Sequence, residues 1–290
     1  MSTQVPALLD GLVDDAAVFP PGSAPLPDAV AAHRRHRSAW YADLVGPLLV
    51  PATRLPELTG LLGADERIAV GVIGDVPLDQ LDEVRATADP RVRVRQVEAA
   101  VAKRGEDPLP GLTELVALAR RSGAGPASLD AVYAELPLTF GLMGALDALA
   151  AARADGVPVA AKFRTGGLAA ELFPTPAELA AVICACRDRD LPFKLTAGLH
   201  QAVRHLDPET GFTHHGFVNV LAATLAAAGG APVARVAELL TAADPRPLVQ
   251  YAEAGLAEPR PLWIGFGSCS ILEPLTDLIR LGLVNGGFDA

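Results

Sequence analysis

Three cations stand where apolar strands are expected. The segment Val159-Ala-Ala-Lys-Phe-Arg-Thr-Gly-Gly167 runs from small apolar residues into Lys162 and Arg164, then turns on two glycines. A second run, Phe193-Lys-Leu-Thr-Ala-Gly198, carries Lys194 and Thr196. Burying an unpaired cation is costly, so something anionic or reactive is expected beside each. Side chains alternate along a strand. Lys162 and Arg164 therefore share one face opposite Ala161 and Phe163, and Lys194 and Thr196 share the face opposite Phe193 and Leu195. Crowded cations disfavour each other's charge and lower a lysine's pKa, and a neutral lysine amine attacks a carbonyl to form an imine. Left charged, the same cations would clamp a carboxylate or phosphate. A purely structural alternative also stands: Lys162 and Lys194 pair with Glu135 and Glu98 as salt bridges that fill the interior.

The elements that position these residues alternate along the whole chain. Short apolar runs over 12–19, 44–50, 67–73, 91–101, 128–138, 157–164, 191–196 and 261–266 read as strands. Helical patterns follow them over 27–41, 55–62, 78–88, 112–121, 142–154, from Thr175 onward, between 219 and 257, and over 273–281. Thr175-Pro-Ala-Glu178 is a capping box with proline at the first helical position. The fourth strand, Val92-Arg-Val-Arg-Gln-Val-Glu98, changes parity partway, which predicts a bulge. Eight strand–helix units imply a parallel sheet and fit one (β/α)8 barrel spanning 1–290, with a long loop after the seventh strand. Chemistry in such a barrel sits at the C-terminal ends of the strands. Those ends supply Asp14 and Asp15, Gln96 and Glu98, Glu135, Lys162 and Arg164, Lys194 and Thr196, and the run Gly265-Phe-Gly-Ser-Cys-Ser270.

The formal net charge of −10 argues against a general nucleic-acid or anionic-membrane binder. The basic run His33-Arg-Arg-His-Arg37 reads as a solvated helix face. Three cysteines make no disulfide framework, and the first residues lack the charged and apolar regions of a signal peptide. The weakly polar stretch 220–234 is too short and too broken by Gly229, Gly230 and Pro232 to span a bilayer. The expectation is a cytoplasmic protein with a small-molecule anionic substrate, no nucleic-acid or membrane partner, and room for a homo-oligomer.

Against this background the end of the chain resembles a known family. Lys162-Phe-Arg-Thr-Gly166 resembles the sixth-strand Lys-x-x-Thr-Gly of class I aldolases of the deoxyribose-phosphate aldolase type. Phe193-Lys-Leu-Thr-Ala-Gly198 resembles their seventh-strand Lys-x-x-Gly-Gly, and Phe266-Gly-Ser-Cys-Ser270 their eighth-strand Phe-Gly-x-Ser. The resemblance covers about the last third of the barrel. It implies that Lys162 forms the imine, that Lys194 keeps it neutral, and that backbone groups near Gly198 and Gly267 bind an anion. Two departures stand out: Arg164 replaces a small residue beside the imine lysine, and Ala197 replaces the first of two glycines. No acid of the family is matched on the earlier strands; Glu98 and Glu135 are offered in its place.

The loop after the seventh strand holds His200, His205, His214 and His215, with Asp207 and Glu209 nearby, in no standard zinc spacing. A loop of this length is usually functional, and a histidine there would supply a proton near neutral pH. Cys269 reads as a small packed thiol. Asp14 and Asp15 read as a cap and turn pair, or else as first-strand metal ligands.

The resulting expectation is a lyase of the aldolase kind acting on a small phosphorylated or carboxylated oxygenated substrate. Lys162, Lys194, Arg164, Glu135 and Glu98 are the catalytic set. Thr165, Gly166, Thr196, Gly198, His200, His205, Gly267, Ser268 and Ser270 are the substrate contacts. No cofactor and no metal are called for. The alternatives are a metal-dependent hydrolase, lyase or isomerase using Asp14, Asp15, Glu98, Glu135 and the loop histidines, and a non-catalytic barrel that binds an anionic metabolite.

Overall fold

In the computed structural model, residues 4–122 and 128–287 are described. The leaderless reading therefore begins on residues, Met1 to Thr3, that lie outside them. Eight parallel strands close into a barrel: β1 (Val13–Asp15), β2 (Val45–Pro51), β3 (Ile68–Ile73), β4 (Val92–Ala100), β5 (Ala131–Glu135), β6 (Val159–Arg164), β7 (Phe193–Thr196) and β8 (Trp263–Ser268). Each strand pairs with its sequence neighbours, and β8 closes on β1 with Val13 opposite Phe266. Helices lie between successive strands, which is the (β/α)8 architecture. No helix among the described residues is long and apolar enough to cross a membrane.

Three local predictions meet the structure with different outcomes. The parity change in β4 is a bulge: Val70 faces Val94 while the next residue, Gly71, faces Gln96, so Arg95 is the extra residue. The capping box forms as expected. Thr175 Oγ1 accepts from Glu178 N at 3.2 Å, and the Glu178 carboxylate accepts from Thr175 N at 2.7 Å. The helix expected over 55–62 is instead a 3-10 helix, Ala52–Leu61, with Pro56 inside it. The helix starts earlier than expected, at Ala52, which puts Pro56 past its first turn; proline has no N–H to donate there and its ring crowds the preceding turn, which disfavours the α form.

The segment between β7 and β8 is the largest departure from a plain barrel. It forms a two-stranded hairpin, His205–Leu206 with Thr213–His214, and then three helices, Phe217–Ala228, Val233–Thr241 and Pro245–Gly255. The weakly polar stretch becomes the first of these. That helix is buried on nearly every side, as a helix apolar all round must be. Phe217 stacks on Phe266 of β8, with ring centroids 5.6 Å apart.

The basic run His33–Arg37 is not a uniformly solvated face. His33 is buried, with Nδ1 3.0 Å from Asp15 Oδ2. Arg37 donates to the carbonyls of Ala42 and Val45, and Arg34 to Glu66. The run ties the first helix of the barrel to its neighbours.

Candidate active site

Strand parity places the charged residues as expected. Phe163 and Phe193 turn outward and pack on each other, with centroids 6.4 Å apart. Lys162 and Lys194 turn into the barrel and are register partners on β6 and β7. Both are almost fully buried.

What they meet inside is a ladder of alternating charge. Glu98 of β4 stands between the two lysines. Its Oε2 is 2.8 Å from Lys162 Nζ, and its Oε1 is 2.5 Å from Lys194 Nζ. Below, Lys194 is also paired with Asp14 of β1. Gln96 donates to both Asp14, at 2.7 Å, and Glu98, at 3.0 Å. Above, Lys162 Nζ is 2.8 Å from Glu135 Oε2, and Arg164 donates to Glu135 Oε1 at 3.2 Å. The order is Asp14, Lys194, Glu98, Lys162, Glu135, Arg164, three anions and three cations. Lys194 Nζ also lies 5.0 Å from the centroid of the Tyr133 ring.

Small residues make room for the ladder on the other side of the barrel. A Cβ at Gly46 would lie 1.9 Å from Asp14 Oδ1. A Cβ at Gly71 would lie 2.6 Å from Leu49 Cδ2 and 2.8 Å from Gln96, and one at Gly267 would lie 3.2 Å from Leu49 Cδ1. Leu49 thus packs into the space left at Gly71 and Gly267.

The ladder corrects the electrostatic expectation for Lys162 and Lys194. Burial alone would push each lysine down, but the flanking carboxylates outweigh it. Glu98 and Glu135 hold Lys162 above its ordinary value, and Asp14 and Glu98 do the same for Lys194. Lys194 therefore does not keep Lys162 neutral; Glu98 separates the two charges. For Glu98, burial would raise the pKa, but Lys162 and Lys194 bring it down to about 2. Glu135 is likewise lowered by Lys162 and Arg164 against burial. Asp14 is the exception: burial outweighs Lys194 and raises it.

Asp15 makes the turn bond, its Oδ1 accepting from Ala17 N at 3.3 Å, but Asp14 takes no part in it, and the two are not joint metal ligands. They are adjacent strand residues and face opposite ways, Asp14 to Lys194 in the barrel and Asp15 to His33 outside it. Among the described residues no three His, Cys, Asp or Glu side chains are grouped to hold a metal ion.

The nine expected substrate contacts fall into two groups. Most serve the loops themselves. Thr165 is buried and its hydroxyl donates to Ala197 O at 2.6 Å. Gly166 and Gly198 lie so close that a Cβ on Gly166 would be 2.8 Å from Gly198 Cα, and Gly198 has a φ of +76°. Ser268 is buried with its hydroxyl on Ser270 O, and Ser270 Oγ accepts from Glu273 N at the last helix. Gly267 backs onto Leu49. His205 stacks on His214 at 5.3 Å, and His214 Nδ1 meets Gly198 O at 3.2 Å. His215 is buried against Pro174 O, and burial takes its pKa down to about 4. Nearer the open end, Thr196 is half-buried opposite Arg164. His200 lies 3.9 Å from Cys269 Sγ and 3.5 Å from Glu273. Burial raises the Cys269 thiol, which disfavours its thiolate form.

A cavity of about 260 Å³ opens beside Glu135 and Arg164 and is also lined by Arg104, Leu136 and Phe173. A separate cavity of about 510 Å³ lies at the opposite, N-terminal mouth and reaches Asp14, Gln96 and Tyr133. The chemistry is read at the first, because it lies at the C-terminal strand ends and is lined by Glu135 and Arg164, the outer end of the ladder.

Tyr133 is not named among the strand-end residues, and Asp14 and Gln96 are named there without their part in the ladder, beside Lys194 and Glu98. Lysine usage carries a signal for the ladder. The chain has three lysines, Lys103, Lys162 and Lys194, among 24 lysines and arginines. Arginine serves nearly everywhere else, and two of the three lysines stand inside the barrel. The geometry defines a (β/α)8 barrel with a buried, charge-balanced lysine–carboxylate ladder rising to its C-terminal mouth. No family model matches the chain, and no curated protein or solved structure matches it.

Proposed function

We propose that the protein is a lysine-imine enzyme, a lyase of the aldolase kind, acting at the C-terminal mouth on a small anionic substrate with a carbonyl group. The observation that carries the reading is Lys162, a buried lysine paired with Glu135 of the mouth, whose Nζ contacts two carboxylates at 2.8 Å each. A lysine is a compact amine that can lose its proton, which arginine cannot. Its retention here, in a chain that otherwise prefers arginine, favours chemistry over charge alone. The resemblance of Lys162–Gly166 and Phe193–Gly198 to deoxyribose-phosphate-type aldolases points the same way.

In this reading Lys162 is the nucleophile. Glu135 and Glu98 are the groups that take its proton, replacing the expected neutralisation by Lys194. Proton transfer to a carboxylate frees the amine lone pair for the carbonyl carbon, and the acid so formed returns the proton to the departing oxygen as water leaves. The resulting iminium accepts the electron pair of the cleaved C–C bond. Lys194 holds Glu98 in place, and Arg164 meets the substrate's anionic group. Borohydride reduction in the presence of glyceraldehyde 3-phosphate or pyruvate, followed by peptide mapping, tests the reading. Absence of any adduct at Lys162 across these probes removes it.

One observation favours a second reading. Both lysines are held charged in a balanced ladder, which is also how a rigid anion-binding barrel without chemistry would be built. That reading predicts that the same compounds raise the melting temperature without forming an adduct.

A further inference from the structure

Glu135 divides its two oxygens between unlike cations. Oε2 faces Lys162 at 2.8 Å, and Oε1 receives Arg164 Nε at 3.3 Å and Nη2 at 3.2 Å. The Lys162 side chain is 5% exposed, whereas that of Arg164 is 44% exposed. Arg164 is the one member of the ladder that can swing away without unpacking the interior. It lines the cavity of about 260 Å³, together with Arg104 and the apolar side chains of Leu136, Leu138 and Phe173. Arg104 is held there by a bond from Nη1 to Glu171 O at 3.1 Å. Of the acids that also line the cavity, Glu178 is engaged in the capping box through Thr175 N and Oγ1, and Glu171 is exposed to solvent.

We propose that Arg164 is a substrate-operated latch on Lys162: a carboxylate or phosphate entering this cavity takes Arg164 from Glu135, and Glu135 then accepts the proton of Lys162. The inference rests on the lysine-imine reading and deepens it. One N–H bond of the ammonium breaks and one O–H bond forms at Glu135 Oε2. The pair becomes a neutral amine beside a neutral acid, and Arg164 is met by the charge of the ligand. The physical reason is that a nearby cation favours a charged carboxylate, so Arg164 at Glu135 opposes the transfer and its departure eases it. The lysine is thus closed to neutral carbonyl compounds and opened by those that carry an anion. The apolar wall adds that the anionic group sits next to a hydrocarbon portion. The substrate class is an aldehyde or ketone bearing a carboxylate or phosphate on a partly apolar frame.

Reductive methylation with formaldehyde and cyanoborohydride tests the latch on the full chain, because only the neutral amine reacts. Peptide mapping reads Lys162 against Lys103 in the same sample. Isobutyrate, an apolar carboxylate without a reactive carbonyl, is expected to raise the Lys162:Lys103 labelling ratio several-fold, and its neutral isostere isobutyramide to leave it unchanged. Arg164→Gln is expected to label Lys162 rapidly without isobutyrate and to show no further response. The latch is overturned if isobutyrate leaves the wild-type ratio unchanged or lowers it, or if isobutyramide acts equally. The wild-type arms stand even if the variant does not fold. Failure of the imine reading has a different signature: the isobutyrate response is present, yet no carbonyl probe is reduced onto Lys162.

Discussion

Lys162 and Lys194 are register partners on adjacent strands, yet their ammonium groups do not oppose each other, because Glu98 gives one oxygen to each. The strand pattern alone suggests crowded cations and a lysine made neutral by repulsion. The folded barrel inserts a carboxylate between them and brings one more to the far side of each, Asp14 to Lys194 and Glu135 to Lys162. Any chemistry at Lys162 therefore begins from an ammonium ion and needs a proton acceptor at hand, which Glu135 and Glu98 supply.

The two lysines differ in what their removal strands. Lys162→Met leaves Glu98 with Lys194 and Glu135 with Arg164. Lys194→Met leaves Asp14 with only Gln96. Breaking a buried ion pair from one side costs about 3–5 kcal/mol. Lys194→Met is expected at the upper end of that range and Lys162→Met at or below the lower end, by denaturant unfolding. Adding Asp14→Asn to Lys194→Met should recover part of the loss, since it removes the stranded charge.

Acid should destabilise the fold in two windows. His215 has its pKa lowered by burial to about 4. The unfolded chain therefore binds a proton more readily, and stability is lost as pH falls from about 6.5 toward 4. Glu98 is lowered to about 2, so its contribution, roughly 3 kcal/mol, is present above the unfolded value near 4.5 and is lost as pH falls from there toward 2. Asp14 is raised and acts in the opposite sense, so Glu98→Gln rather than Asp14→Asn should flatten the lower window. His215→Asn should flatten the upper one. The lysines, raised by their carboxylates, are fully stabilising below about 10.5 and lose that contribution above it. Melting temperature against pH for the three proteins checks each window.

Gly46 is a steric requirement of the ladder. The Cβ of Gly46→Ala would fall 1.9 Å from Asp14 Oδ1, so Asp14 must move from Lys194. A loss of about 1–3 kcal/mol is expected, as for other overpacked interiors. Gly60→Ala, where nothing lies within 4 Å of the added carbon, is the control and should lie close to wild type.

The architecture was readable because parallel strands buried on both faces leave short apolar runs between amphipathic helices. Lys162 and Arg164 are the instructive case: parity alone turned Lys162 inward beside Phe163. The bulge at Arg95 was equally visible as a parity change. The pairing of Asp14 was not, because two adjacent aspartates look like a turn pair; Asp15 does accept from Ala17 N, but Asp14 faces the other way and finds Lys194. Thr165, Gly166, Ser268 and Ser270 illustrate the converse. Small and hydroxylated residues at strand ends look like an anion cradle, but here their bonds close the loops on one another. Only the folded chain decides between these uses, since both draw on the same donors.

The most direct measurement is the concentration dependence of borohydride trapping at each of the three lysines. With glyceraldehyde 3-phosphate or pyruvate as probe, the lysine-imine reading predicts an adduct at Lys162 that saturates with probe concentration, one at the exposed Lys103 that rises linearly, and none at Lys194. Lys162→Met should lose the saturable adduct and keep the linear one. Adducts at Lys103 alone, or equal unsaturated labelling at Lys103 and Lys162, would contradict the reading and leave the ladder as the framework of a binding protein.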